Sequence, residues 1–327
     1  MALLSIVIAL LLEQVRPLAS GNRAEALLYG WVRAVGRNVD AGGAQHGWLA
    51  WALAVALPAL AAAGVYWLLG WLGGWPLKLL WNVAVLYFTL GLRQFIDHFT
   101  GVRDALEAGD EPRARAQLAR WRQTGAAAPP PGDLAGCLIE TSVLAAHRHV
   151  FGVLTWFCLL SVLGLGPAGA VFYRGGAFVL RYWRRKARAA YQPVSPALVL
   201  AAAQAWRVVD WLPARCTALG FAVVGSFEDA VDVWRNHAAR FANPNDGVVL
   251  AATAGALGVR LGGDALKAPA PGLAAQPPAS GSPPADDGLP GQPPRPAHFS
   301  QVAGLLWRMV ALWLLLLVLL TLAHVMG

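Results

Sequence analysis

Long apolar stretches at residues 48–71, 150–182 and 305–325 limit this chain to very few folds. Each is long enough for the ~20 helical residues that cross a bilayer core. No water reaches the backbone there, so every N–H and C=O must be satisfied internally, by helices or by a closed barrel. No segment alternates apolar and polar residues as a barrel strand would, which leaves helices. Composition agrees: 57% of residues are hydrophobic and 13% charged, against about a quarter charged in soluble domains. The expected fold is all-α: a multi-pass transmembrane helical protein with cytosolic helical hairpins and a C-terminal transmembrane helix.

The net charge of +8 bears on partners. Basic residues flank the apolar segments instead of forming one solvated stripe, so they read as cytosolic loops and headgroup contacts. The expected partner is the lipid bilayer, with no nucleic acid. Trp48, Trp51, Trp67, Trp71 and Trp75 suit an interfacial aromatic belt. Cys137, Cys158 and Cys216 form no CxxC pair and read as apolar filler.

Along the chain, residues 1–12 are apolar but short, with no basic leader and no small-residue cleavage site. Residues 16–47 are polar and carry Arg16, Arg23, Arg33 and Arg37. Residues 48–71 form a span, Gly73-Gly74-Trp75-Pro76 a turn, and 77–92 a return, with Lys78 able to snorkel. Charges alternate in sign over 93–122, broken at Gly109-Asp110-Glu111-Pro112, which predicts a soluble helical hairpin. Another helix is expected from about Asp133. Residues 150–182 could form one helix or a hairpin broken at Gly164-Leu-Gly-Pro167. The hairpin is favoured because it puts the basic segment at 181–188 with the other arginine-rich segments on the cytosolic side. A helical pair at 196–226 meets at Asp210-Trp-Leu-Pro213, and a polar helix follows at 228–240. Residues 1–263 read as the membrane domain and 264–298 as a disordered Pro/Gly/Ala-rich linker. Residues 299–327 read as the final transmembrane helix.

The run ANPNDGVVLAATAGALGVRLGG (242–263) is unusual for a membrane helix, with glycines at 255, 258, 262 and 263. Such spacing predicts backbone lying close to a ligand or to another helix. From Asn245 to Gly263 the run resembles the closing signature of the CobD/CbiB family, approximately PNAG followed by AGALGVRLGG. GLRQFIDHFTGVRDALEAGD (91–110) resembles the family's Arg…Glu-His helix, with Asp97 in the acidic position. DWLPARCT (210–217) resembles its NWIPARLT, and Tyr173-Arg174 its YR. The resemblance covers about residues 77–263. It implies an integral membrane protein of the bacterial inner (plasma) membrane that acts in cobalamin biosynthesis. Family enzymes join aminopropanol or its phosphate to the carboxylate of adenosylcobyric acid.

Several acidic positions of the family pattern are replaced here. Glu140 is kept in the E-T segment, but Leu144 and Arg148 stand for acids further on. Leu180, Trp206-Arg207 and Leu250 do the same elsewhere. Such a set cannot hold a hard cation, so degenerate catalytic acids are expected, and if active the chain is an amide-forming ligase. The ends, the Gly-Pro-centred hairpin and the final helix also resemble AmpE, which implies a non-catalytic regulatory membrane protein with a protein partner. No P-loop, GxSxG or HExxH motif occurs.

Candidate ligand-binding residues are Arg93, Asp97, His98, Glu140, Asp210, Arg215, Asn245 and Arg260. Arg93 and Asp97 are i,i+4 and fit an ion pair or a cytosolic cleft. Arg207 and Asp210, i,i+3 in an apolar helix, form with Arg215 a costly intramembrane charge group. Arg260 among glycines suits a phosphate or anionic headgroup, or an interfacial arginine. His147-Arg-His149 reads as interfacial polar residues at a helix end. No catalytic residue, metal ligand or cofactor is assigned.

Overall fold

The computed structural model describes residues 2–15, 23–122, 134–189, 194–262 and 290–326. Among them every regular element is helical, apart from one isolated parallel bridge between Val259 and Gln292. The chain divides into two compact units.

The first unit comprises residues 1–93, 148–213 and 320–327. It holds α1 (Ala2–Val15), α2 (Arg23–Val39), α3 (Ala44–Thr89), α7 (Gly152–Val162), α8 (Ala168–Ala187) and α9 (Pro196–Val209). Although α3 runs for 46 residues, it is not a rod. Gly73 and Gly74 leave helical geometry, with Gly74 at φ +69°, a region that glycine enters without steric cost. The Trp81 indole N–H donates to the Ala62 carbonyl at 3.0 Å. Nineteen residues of straight helix would hold them about 28 Å apart, so the chain folds back at the expected glycine turn. Near that turn the Lys78 Nζ lies 4.8 Å from the Tyr66 ring centre and 5.5 Å from that of Trp67.

Small residues line the inner face of α3. Ala50, Ala54, Ala59, Ala62 and Ala63 are buried, whereas Leu57, Leu60, Trp67 and Trp71 are exposed. A side chain on Gly47 would lie 2.7 Å from the Ala197 carbonyl at the start of α9, which is backbone packing of the kind small residues permit. The hairpin expected over 150–182 forms as α7 and α8, joined through Gly164 (φ +77°) and Gly166 (φ +57°). Gly169 sits against the Trp156 carbonyl, where no Cβ fits.

The second unit comprises residues 94–147 and 214–319. Its helices are α4 (Leu92–Glu107), α5 (Glu111–Arg122), α6 (Leu134–Ala146), α10 (Trp211–Val224), α11 (Phe227–His237), α12 (Pro244–Leu257) and α13 (Phe299–Met326). The hairpin expected from alternating charge appears as α4 and α5. Gly109 turns it at φ +74°, and Asp110 caps α5 by accepting from the Arg113 N–H at 3.1 Å. Phe95 stacks on Phe99, which meets Phe299 of α13 edge-on at 6.3 Å. Met309 of α13 packs over Gly220 of α10.

One boundary differs from expectation. The helix begun near 133 does not end before 150; it continues through a π-helical turn (His147–Phe151) into α7, giving one apolar helix over Leu134–Val162. The polar His147-Arg-His149 hides this in the sequence, because a π turn adds a residue without breaking the helix.

Helices long and apolar enough to cross a membrane are Ala44–Thr89, Leu134–Val162 and Pro296–Ala323. In the first and last, 28% of the most apolar window is buried by protein, so most of that surface needs lipid. Residues 264–289 of the expected linker lie outside the described residues; over 290–298, Gln292 pairs with Val259 and a 3-10 turn (Pro296–His298) leads into α13.

The fold-back in α3 predicts a labelling pattern. In a chain whose three cysteines are replaced, single cysteines at Gly43 and Phe88 are expected to react with an impermeant thiol reagent from one side of the membrane, and one at Trp75 from the other. Reaction of all three from the same side refutes the hairpin. Gly74→Val is expected to cost about 1–2 kcal/mol, read as a lower unfolding temperature in detergent.

Candidate functional site

The segments singled out in the sequence meet in two places, one within each unit. In the first unit the Tyr173 hydroxyl of α8 donates to Asp210 Oδ1 at 2.7 Å, and both residues are fully buried. The Trp206 ring lies 5.0 Å from Tyr173. Gly152 makes room for the phenol, since a Cβ there would overlap the Tyr173 ring. The Trp156 indole N–H donates to the Val209 carbonyl at 2.9 Å and ties α7 to the end of α9. A carboxyl in an apolar interior needs such donors. Asp210 is therefore part of the packing that registers α8 on α9, while Arg207 is exposed on α9.

In the second unit the closing run forms the centre. Asn243 caps α12, its Oδ1 accepting from the Asn245 N–H at 3.2 Å, with Pro244 at the first turn. Residues 247–255 of α12 are all buried. A Cβ on Gly255 would lie 2.2 Å from the Asp229 carbonyl of α11, and one on Gly247 2.4 Å from the Ala238 carbonyl. The glycine spacing thus serves the approach of another helix. Gly258 ends α12 in the left-handed conformation at φ +64°.

Both ends of this run engage other motif residues. Before α12's first buried turn, Asn245 Oδ1 accepts from Arg215 Nη1 of α10 at 3.3 Å. Beyond its cap, the Gly262 N–H donates to Glu140 Oε1 of α6. The Arg260 N–H donates to the Gln292 carbonyl at 2.8 Å, with its side chain exposed. A contact that the sequence reading missed lies nearby in the chain: buried His147 places Nδ1 2.9 Å from Thr217 Oγ1. Its signal was available. His147 follows Glu140 by two helical turns, and Thr217 ends the DWLPARCT segment.

The structure thus joins Glu140 to Gly262, and Arg215 to Asn245. Asp97 and His98 are exposed on α4, with the His98 ring stacked 5.6 Å from Trp121. The Arg93 side chain lies outside the described residues. Leu180 and Leu250, which stand where the resemblance implies acids, are buried apolar residues. Among the described residues no group of three His, Cys, Asp or Glu side chains could hold a metal ion.

Two substitutions separate packing from ligand roles. Gly255→Ala is expected to cost ~2 kcal/mol or more, because the methyl meets backbone that cannot step aside. Tyr173→Phe is expected to cost about 1–3 kcal/mol by leaving Asp210 short of a buried donor. Thermal unfolding in detergent reads both. An unchanged transition for Gly255→Ala rules out the backbone contact of α11 with α12.

Comparison with known proteins follows the same segments. The family profile described as "CobD/Cbib protein" matches residues 6–269. The chain is 32% identical over 322 residues to the "Cobalamin biosynthesis protein CobD" of Stutzerimonas stutzeri, covering 96% of each chain. It is 34% identical over 189 residues to the protein of the same name from Chromobacterium violaceum, covering 58% of this chain and 57% of that one. No solved structure matches. The resemblance to AmpE is not shown by these matches. A profile spanning most of the chain and a relative aligned end to end place this membrane protein in the CobD/CbiB family.

Proposed function

We propose that this chain acts in cobalamin biosynthesis at the bacterial inner membrane, in the step that joins aminopropanol or its phosphate to a corrinoid carboxylate. The observation that carries this reading is the end-to-end alignment with a relative named for cobalamin biosynthesis. The packing of α12 supports it: the closing signature reaches Arg215 at one end and Glu140 at the other.

Amide formation joins the ammonium nitrogen to the carboxyl carbon; one carboxylate oxygen leaves with two of the nitrogen's protons as water. In this reading Arg215 and Arg260 face anionic groups of the ligands, and Glu140 faces the amine. Asn245 fixes the Arg215 fork, and the Gly262 amide fixes the Glu140 carboxylate. Asp97 and His98, exposed on α4 in the same unit, are further candidates for polar groups of the corrinoid. Among the described residues the donors do not fit a divalent cation.

A second reading, a non-catalytic regulatory membrane protein, is favoured by Leu180 and Leu250, buried where acids would be needed. Complementation separates the two. Expressed alone in cells lacking corrinoid amidation, the chain is expected to restore cobinamide formation; failure at normal expression refutes the ligase reading. Glu140→Gln keeps an acceptor for the Gly262 amide but removes the charge. It is expected to leave the unfolding temperature unchanged while lowering amidation about a hundredfold.

A further inference from the structure

The first unit carries a basic pocket that the proposed chemistry leaves unused. It has a volume of about 280 Å³ and lies between the second halves of α2 and α8. An aromatic seam docks the two helices: Tyr29 meets Phe178 at 4.7 Å and Tyr182 at 5.8 Å, both edge-on. One to two turns further on, Arg33 and Arg37 from α2 and Lys186 from α8 line the opening. Arg33 and Arg37 are i,i+4 and project from the same side of α2. Among the described residues, no hydrogen bond or ion pair engages these three cationic groups.

Asp40 also lines the pocket, but its carboxylate is engaged by backbone. Oδ1 accepts from the Gly42 N–H at 3.2 Å and Oδ2 from the Ser195 N–H at 2.9 Å. Those bonds hold the start of α3 and the cap of α9, and leave the pocket's charge balance positive.

The wall between the helices contains Trp183, fully buried, with no hydrogen-bond partner for its indole N–H among the described residues. That nitrogen lies against Gly36, another wall residue; a Cβ there would sit 3.3 Å from Nε1. A buried donor without an acceptor costs roughly 1–3 kcal/mol. Tryptophan is kept where the N–H finds a partner. A cation in the last turn of a helix is explained by the helix dipole, but two arginines and a lysine from two helices around one opening are not. The combination fits a tetrahedral oxyanion, with guanidinium and ammonium groups on its oxygens.

From this arrangement we infer that the α2–α8 pocket binds a phosphate group, and that its source is an anionic phospholipid headgroup. The lipid source follows from the rest of α2. Leu27 is 76% exposed and Trp31 36% exposed on a different flank of α2 from the arginines, so the helix presents an apolar edge beside a cationic one. A helix lying in the membrane interface has that pattern, and it places the pocket mouth at headgroup level. A bound lipid would fasten the amino-terminal helices to α8 at the end of the hairpin.

Native mass spectrometry of the full chain in detergent, titrated with phosphatidylglycerol, tests this. One lipid is expected to bind above a weaker background. Arg37→Ala and Lys186→Ala are each expected to weaken that binding about tenfold. Arg188→Ala removes the same charge from an exposed position outside the pocket and is expected to change binding less than twofold. Equal losses for Arg37→Ala and Arg188→Ala overturn the site in favour of general electrostatics. So does phosphatidylglycerol binding that survives both pocket substitutions. Displacement of the lipid by millimolar inorganic phosphate overturns the lipid source and assigns the pocket to a soluble phosphate compound.

Discussion

The second unit depends on the approach of two backbones, α11 and α12, at a distance that no side chain could tolerate. Gly255 rests on the Asp229 carbonyl and Gly247 on the Ala238 carbonyl. Between them α12 is buried along most of its length with no charged residue in its interior. A helix of small side chains buries little apolar area per residue, so close van der Waals contact contributes much of what holds it. The closing run has its composition for that reason. A Leu-rich helix of the same hydropathy would stand too far from α11 to be held this way.

Fixing α12 also fixes what hangs from its ends. Its cap residues carry Asn245 to Arg215, and its left-handed stop at Gly258 sends the chain on to Gly262 and Glu140. The first unit solves the corresponding problem differently, with a buried phenol–carboxyl bond between Tyr173 and Asp210 and a glycine beneath the ring. In both, a polar contact that would be worth little in water is set in an environment where losing one partner is costly. The motif segments are therefore structural as well as chemical, and substitutions in them require stability and activity to be measured separately.

Much of the fold was legible. Gly73-Gly74, Gly109-Asp110 and Gly164-Leu-Gly-Pro167 each turned the chain where expected, because a left-handed backbone angle selects glycine almost regardless of context. The continuity of the helix through His147 was not legible. Polar residues at a helix end and polar residues in a buried π turn have the same composition, and only a partner such as Thr217 distinguishes them. The candidate site was legible as a set of residues but not as contacts. Glu140 and Gly262 are 122 residues apart, and no periodicity links them.

The sequence by itself determined that the chain is helical and membrane-embedded, where it turns, and which family it belongs to. These follow from local rules: backbone groups in lipid must pair within a helix, and turns need particular residues. Tertiary structure alone decided what the glycines of the closing run are for, that Asp210 answers to Tyr173, and that Arg33, Arg37 and Lys186 share one pocket with a buried indole. Those are pairings between distant parts of the chain. They are set by which helices pack together, and helix packing depends on surface shape that a single segment does not contain.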